Sequence, residues 1–286
     1  MKTIFAAGFP QRSVAELKNL LAHRDQRVRQ EAQFTLVEKG ADGQPTLVET
    51  LKHNALLPRL HAIWGLGQIA ASKNAKAKSA SLTALRPLLA DDAAEVRAQA
   101  AKVLGDARDA EAAPAITKLL ADASPRVRHL AAIAIGKIHH TAAVSALVKL
   151  LEDNADKDAV LRHSGVFGLL GCTDASTITA LKTHASASVR LAAVVALRKL
   201  ERAEVSQFLA DAEPRVVLEA ARAITEIPIP QALAAVAALK PDLARFNDYQ
   251  TPALLRRIVS ANLHVGDAAS AARLAALASD ADMPEA

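Results

Sequence analysis

Residues 127–138 read VRHLAAIAIGKI. The apolar residues of this segment, Val127 to Ile138, recur at intervals of three and four, which is the period of one face of an α-helix. Pro125 stands two residues before the segment and suits the first turn of a helix, where a missing N–H costs little. The stretch therefore predicts an amphipathic helix that begins near Pro125.

The same pattern recurs along the chain. Its second position, called the anchor below, is arginine in seven of eight copies and valine in the other. The anchors are Arg29, Arg59, Arg97, Arg128, Arg162, Arg190, Val217 and Arg256. Anchors 27 to 39 residues apart predict one helix pair per repeat, stacked as a solenoid. The predicted fold is all-α, a right-handed superhelix of about eight helix pairs.

The organisation predicted from these repeats is simple. Residues 1–12 are expected to be an N-terminal stub. Residues 13–286 are expected to form one array whose last residues, 282–286, begin a further repeat that is not completed. The low-apolar stretch 71–80 is predicted to be a loop between repeats.

A polar residue stands six positions before each anchor, where the first helix ends. These residues are His23, His53, Asp91, Asp122, Asp156, His184, Asp211 and Gln250. The recurrent Asp-then-Arg pattern resembles HEAT repeats. The resemblance implies a structural ladder of Arg29, Arg59, Asp91, Arg97, Asp122, Arg128, Asp156, Arg162 and Arg190. Within it, Arg97, Arg128 and Arg162 match Asp91, Asp122 and Asp156, whereas Arg29, Arg59 and Arg190 depart from the pattern at the acidic partner.

Composition restricts the possible functions. The chain is 51% hydrophobic but only 3% aromatic, and its net charge of +5 is too small an excess to indicate nucleic-acid binding by itself. No apolar run approaches the roughly 18 residues of a membrane span. The single cysteine, Cys172, allows no internal disulfide, and no nucleotide-binding or catalytic motif occurs. No catalytic residue and no cofactor are predicted.

Two histidines raise the question of a metal site. His129 and His163 each follow an anchor arginine directly. This arrangement resembles HEAT-fold deoxyhypusine hydroxylases, which place a His-Glu pair after such an arginine and bind two irons. Here the next residues are Leu130 and Ser164, so the acidic ligands are missing. Neighbouring repeats also lie roughly 10 Å apart, whereas metal ligands must meet at about 2 Å. No metal is predicted.

Nucleic-acid binding is the other alternative. Some HEAT-like glycosylases hold DNA in a basic concave face with exposed tryptophans. The single tryptophan here, Trp64, aligns with Phe34, Ile133, Phe167 and Val195, so it is predicted to lie in the core. Most anchor arginines are assigned to the ladder, which leaves little free basic charge. Nucleic acid is therefore not the predicted partner.

A more particular resemblance covers residues 11–286. Residues 25–34, 59–68 and 217–224 resemble the HEAT segment of large exported proteins of planctomycetes and verrucomicrobia. In those bacterial proteins a propeller dehydrogenase-like domain precedes the array and a c-type cytochrome domain follows it. The resemblance implies an exported or periplasmic location and a scaffold role, with a flanking domain or a protein as the partner.

The second helices are expected to line the concave side of the array. If Val28 faces the core, the helical period places Gln30 and Gln33 of the same helix on the side away from the core. The candidate binding residues are Gln30, Gln33, His129, Ala132, His163, Val166 and Arg198. Because this face is mostly small and apolar, it predicts protein docking rather than phosphate binding. A HEAT-like nucleic-acid binder is the first alternative function, and a HEAT-fold lyase or metal-dependent hydroxylase is the second.

Overall fold

The structure, a computed structural model, describes residues 2–280 and divides into two compact units, Met1–Ala146 (unit 1) and Leu147–Ala286 (unit 2). Within the described residues all regular structure is helical. Unit 1 contains α1 (Lys2–Ala6), α2 (Val14–Leu20), α3 (Gln26–Glu38), α4 (Gly43–Thr50), α5 (Leu56–Ala70), α6 (Ala75–Leu85), α7 (Ala94–Asp106), α8 (Ala113–Lys118) and α9 (Pro125–Ile138). Between them lie 3-10 segments at Arg86–Ala90, Ala110–Ala112, Leu119–Ala121 and Thr141–Ala143.

Unit 2 continues the same alternation. Helix α10 (Val144–Asn154) begins at the boundary, and it is followed by α11 (Ala159–Cys172), α12 (Ala175–Ala180), α13 (Ala187–Lys199), α14 (Pro214–Glu226), α15 (Pro230–Ala237), α16 (Gln250–Val265) and α17 (Ala268–Ala278). Further 3-10 segments are Leu181–Thr183, Ala203–Phe208 and Leu243–Arg245. The segment Ala203–Phe208 takes the place of a first helix before α14.

The helices stack in chain order within each unit. In unit 1 the second helices α3, α5, α7 and α9 pack successively on one another, and the first helices α2, α4 and α6 do the same. In unit 2 the successive partners are α11, α13, α14 and α16. Each repeat therefore buries its apolar face against its neighbours, which is the arrangement of an α solenoid and confirms the predicted fold class.

The repeat at α9 shows how the sequence specifies this packing. Pro125 begins the helix, as predicted. Val127, Ala131 and Ile135 are fully buried, so the apolar face inferred from the sequence is the core face. The helix ends where His139 adopts a left-handed φ of 61°. None of the helices in residues 2–280 has the length and apolar character needed to cross a membrane.

Two segments differ from the expected organisation. Residues 1–12, expected to be a stub, contain α1, and Phe9 is buried while Arg12 donates to the carbonyl oxygens of Ile4 and Gly8. The predicted loop 71–80 is helical from Ala75, because Asn74 caps α6 by accepting the N–H of Ala77. The residues expected to begin a further repeat, 282–286, lie outside the described residues.

Candidate docking groove

The turns between paired helices are closed by one side-chain acceptor. In three of these turns, Oδ1 of an aspartate accepts a hydrogen bond from the backbone N–H of the residue two positions later, with N to O distances of 2.8 or 2.9 Å. These aspartates are Asp91, Asp122 and Asp211. In three others the Nδ1 of a histidine makes the same bond, at 2.9–3.1 Å: His23, His53 and His184. An accepting Nδ1 carries no proton, so these histidines replace aspartate as turn acceptors.

Three anchor arginines, Arg59, Arg97 and Arg190, bind the carboxylate of the next turn. Arg97 donates through Nη1 to the carbonyl oxygen of Asp91, in its own turn, at 2.7 Å. Its Nε and Nη2 form a bidentate pair with the carboxylate of Asp122, in the next turn, at 2.8 and 2.9 Å. The sequence matched Arg97 with Asp91 of its own turn. The structure joins these two residues through the backbone of Asp91, whereas the carboxylate of Asp91 pairs with Arg59.

Pairing with the aspartate of the next turn accounts for Arg59 and Arg190, which departed from the pattern of an aspartate in their own turn. Arg190 has a histidine in its own turn but an aspartate, Asp211, in the next, and it pairs with Asp211 at 2.7 and 2.9 Å. Arg162 is followed by a histidine turn and pairs with Asp156 of its own turn. Arg128 donates to the carbonyl oxygens of Asp122 and Ala123 at 2.7 and 3.1 Å.

A buried polar chain replaces the ion pair at Arg29, because its next turn residue is His53. Arg29 donates from Nε to Nε2 of His61 at 3.2 Å. With Nε2 as acceptor, Nδ1 of His61 carries the proton and donates to Oε1 of Gln33 at 2.8 Å. Gln33 in turn donates to Gln68 at 3.1 Å. Burial, followed by the charge of Arg29, lowers the pKa of His61 to about 4.

The stability of unit 1 is expected to fall as the pH drops from 7 to 5. The pKa of His61 is about 4 in the fold against 6.5 for an ordinary histidine, so the unfolded chain binds the proton first. The loss amounts to about 2 kcal/mol at pH 5. Urea denaturation at several pH values measures it, and His61→Gln, which stays neutral, is expected to remove most of this slope. Equal slopes for the two proteins would contradict the assignment.

The predicted concave-face residues divide by exposure. Gln30 and His163 are exposed, and His129 and Arg198 are half-buried. Gln33 and Ala132 are buried, at 4% and 0% exposure, and do not lie on the open face expected of them; Val166 is 1% exposed but lines a cavity of unit 2 described below. A second helix packs against the second helices of both neighbouring repeats. The buried arc is therefore wider than that of a helix lying on a single core.

The surface position of the second helices lies five residues after the anchor. In seven repeats it is occupied by a half-buried or exposed residue, namely Phe34, Trp64, Lys102, Ile133, Phe167, Val195 and Arg222, whereas Ala261 after the last anchor is buried. Trp64, predicted to lie in the core, is half-buried. Its indole N–H donates to Oε1 of Gln99 at 2.9 Å, and its ring meets His61 edge-on.

In unit 2 the second helices form a groove, called here the unit 2 groove. Its cavity is about 520 Å³ and lies among α11, α13 and α14. The floor is apolar: Val166, Leu191, Val195 and Leu218. The charged and titratable groups of the rim are Arg162, His163, Lys199, Arg215, Glu219 and Arg222. Two predicted residues, His163 and Val166, thus lie in this groove.

Most cations of the groove are held by carboxylates. Arg162 and Arg215 share Asp156, with Arg215 Nη2 at 2.6 Å from Oδ2. Burial alone would raise the pKa of Asp156, but the hydrogen bonds from the two arginines outweigh it and lower that pKa. Arg222 pairs with Glu226 at 2.9 Å. Within residues 2–280, exposed Lys199 makes no ion pair.

The histidines considered as metal ligands fall in different units. His129 lies in α9 of unit 1, and His163 lies on the rim of the unit 2 groove. Across residues 2–280 no three histidine, cysteine or acidic side chains are grouped so that they could hold a metal ion.

Comparison with known proteins gives the following matches. A model of HEAT repeats matches residues 82–167, and 181 solved chains match the fold. The protein YibA of Escherichia coli is 21% identical over 87% of this chain and 93% of its own, with a TM-score of 0.52. The CpcE–CpcF complex of phycocyanin lyase from Nostoc is 18% identical over 80% and 94%, with a TM-score of 0.45. Human deoxyhypusine hydroxylase is 18% identical over 87% of this chain and 96% of its own, with a TM-score of 0.38. No curated sequence matches.

Proposed function

We propose that this chain of HEAT repeats is a non-catalytic docking module that binds a segment of a protein partner in the unit 2 groove. One observation carries the proposal: second helices of successive repeats line an open groove of about 520 Å³ with apolar and charged side chains. Protein sites that bury a ligand commonly measure about 300–1,000 Å³, with an apolar lining and few polar groups. Repeat arrays present such surfaces to partners.

The charges of the groove support binding rather than catalysis. Its one lining carboxylate, Glu219, lies 3.6 Å from both Arg198 and Arg222. Both ion pairs occupy this carboxylate within the protein. The remaining charged groups of the rim are cations, which attract an anionic partner. The lyase and hydroxylase alternatives gain no support from these groups.

The resemblance of residues 25–34, 59–68 and 217–224 to exported bacterial proteins is the basis of a narrower proposal. The partner segment belongs to a flanking domain of the same polypeptide, in the position of the propeller or cytochrome domain. The protein is then bacterial and exported. Sequencing the reading frame around this segment tests the proposal, and a frame without either domain would contradict it.

The docking proposal is tested with a charge placed on the groove floor. Val195 is half-buried on α13, so Val195→Glu keeps the fold while putting a carboxylate where the partner would pack. We expect partner capture from the source organism to fall at least about tenfold, which corresponds to 1.4 kcal/mol. The matched control is Ala180→Glu, on the exposed surface of α12. Circular dichroism and thermal melting check that both variants fold. Loss of capture with Ala180→Glu but not with Val195→Glu would overturn the proposal.

A further inference from the structure

We infer that the unit 2 groove recognises an acidic segment of its protein partner, and that the carboxylate of Asp156 occupies part of this anion site in the free protein. The inference rests on the proposed docking function and adds the chemistry of the partner. It follows from three features: the balance of charge at the rim, the order of side chains along α13 and α14, and the unusual role of Asp156.

The rim carries more positive than negative charge. Four cations line it, namely Arg162, Lys199, Arg215 and Arg222, against one lining carboxylate, Glu219; Asp156 and Glu213 lie in the adjoining pocket, and Glu226 pairs with Arg222. Among the described residues Lys199 has no ion-pair partner, and the side chain of Arg215 remains 57% exposed although it binds Asp156. Charge complementarity therefore favours a partner with carboxylates, since it steers encounter and excludes basic segments.

The order of residues on two helices specifies where those carboxylates lie. On α14, Arg215, Leu218 and Arg222 are separated by three and four residues, so they share one face. On α13, Val195 and Lys199 are four residues apart and also share a face. Each helix thus presents an apolar side chain beside a cation. A segment with an aliphatic residue between two acidic residues complements this arrangement.

Asp156 differs from the other turn aspartates. Elsewhere the turn carboxylate accepts the N–H two residues later, but here that N–H belongs to Asp158 and donates to Oδ1 of Asn154 at 3.1 Å. The amide of Asn154 also donates to the carbonyl oxygen of Asp158 at 2.9 Å, so Asn154 closes the turn. The carboxylate of Asp156 is left to the two arginines.

The two arginines come from different helices. Arg162 of α11 binds Oδ1 of Asp156, and Arg215 of α14, 59 residues after Asp156 in the chain, binds Oδ2. A carboxylate held by two guanidinium groups at the edge of the groove is the geometry that a partner's carboxylate would adopt. Asp156 therefore competes with the partner, and removing its charge makes both arginines available.

The experiment measures the fluorescence anisotropy of a labelled hexapeptide, Glu-Leu-Glu-Glu-Leu-Glu, against the same peptide with glutamine in place of glutamate. We expect the acidic peptide to bind at least about tenfold more tightly. Lys199→Glu is expected to weaken that binding about tenfold or more. Asp156→Asn is expected to strengthen it about threefold or more, because asparagine tolerates the left-handed φ of 59° at this position.

The matched control for the gain in affinity is Asp153→Asn. Asp153 lies on α10 and pairs with Lys149, outside the groove, so this variant removes the same charge without freeing the two arginines. An equal gain in both variants would show a general charge effect and overturn the role of Asp156, as would unchanged or weaker binding by a folded Asp156→Asn protein.

The remaining outcomes separate this inference from the docking function. The acidic specificity is wrong if the glutamine peptide binds as tightly as the acidic one, or if neither peptide binds. In that case, partner capture by Val195→Glu and Ala180→Glu still decides whether the groove docks a protein. If a short DNA duplex binds, is lost on Lys199→Glu and displaces the acidic peptide, the groove is a nucleic-acid site and the inference is overturned. A threefold gain confined to Asp156→Asn supports it.

Discussion

Replacing Gly105 with alanine is expected to destabilise unit 1 by about 2–3 kcal/mol, although the same change in an open helix stabilises it by up to about 1 kcal/mol. Gly105 lies in α7 where α9 of the next repeat passes closely. A Cβ at this position would stand 2.4 Å from the Cβ of Ala134 and 2.5 Å from its Cα. Neither atom belongs to a flexible side chain, so a helix backbone must move.

The matched control is Gly65→Ala on α5. There the added Cβ would meet the terminal methyl groups of Leu47, at 3.0 and 3.1 Å, and Cγ of Gln33, at 3.4 Å; the Leu47 side chain can rotate away, and the distance to Gln33 is an ordinary contact. We expect a change within about 1 kcal/mol. Urea denaturation followed by circular dichroism measures both proteins. A Gly105→Ala protein as stable as the native one would contradict the close approach of α9 at Gly105.

The sequence predicts the helices better than it predicts their surroundings. The apolar period of residues 127–138 is a local property, and it identified the buried side chains of Val127, Ala131 and Ile135. The partners of the anchor arginines are not all local. Sequence spacing cannot show whether a long side chain reaches its own turn or the next one, and Arg97 uses both.

The groove shows the same limit. A period of 3.6 residues gives the direction of each side chain from one helix axis, but exposure depends on helices packed on both sides. Ala132 is fully buried for that reason. Trp64 was misassigned because aligned apolar residues indicate a shared environment without showing which environment it is. One sequence signal could have found the groove: Arg215, Leu218 and Arg222 place cation, leucine and cation on one face of α14.

Replacing Arg190 with alanine is expected to destabilise unit 2 by about 3 kcal/mol. Arg190 makes four hydrogen bonds: two to the carbonyl oxygens of His184 and Ala185, at 2.8 and 2.9 Å, and two to Asp211. The side chain of Asp211 is only 4% exposed. Removing the guanidinium leaves a buried carboxylate without its cation, and this costs more than the loss of the hydrogen bonds alone.

Two variants separate this cost from a general loss of charge. Arg202→Ala removes an arginine from an exposed pair with Glu204, and such pairs contribute about 0–1 kcal/mol. Arg190→Lys keeps the charge but cannot form the bidentate pair, so its stability is expected to lie between those of the native protein and Arg190→Ala. If Arg190→Ala unfolds at the same urea concentration as Arg202→Ala, the arginine is not a structural link between consecutive turns. The recurrence of arginine at the anchor position would then be explained by binding, and the loss would appear in partner capture while the unfolding midpoint stayed unchanged.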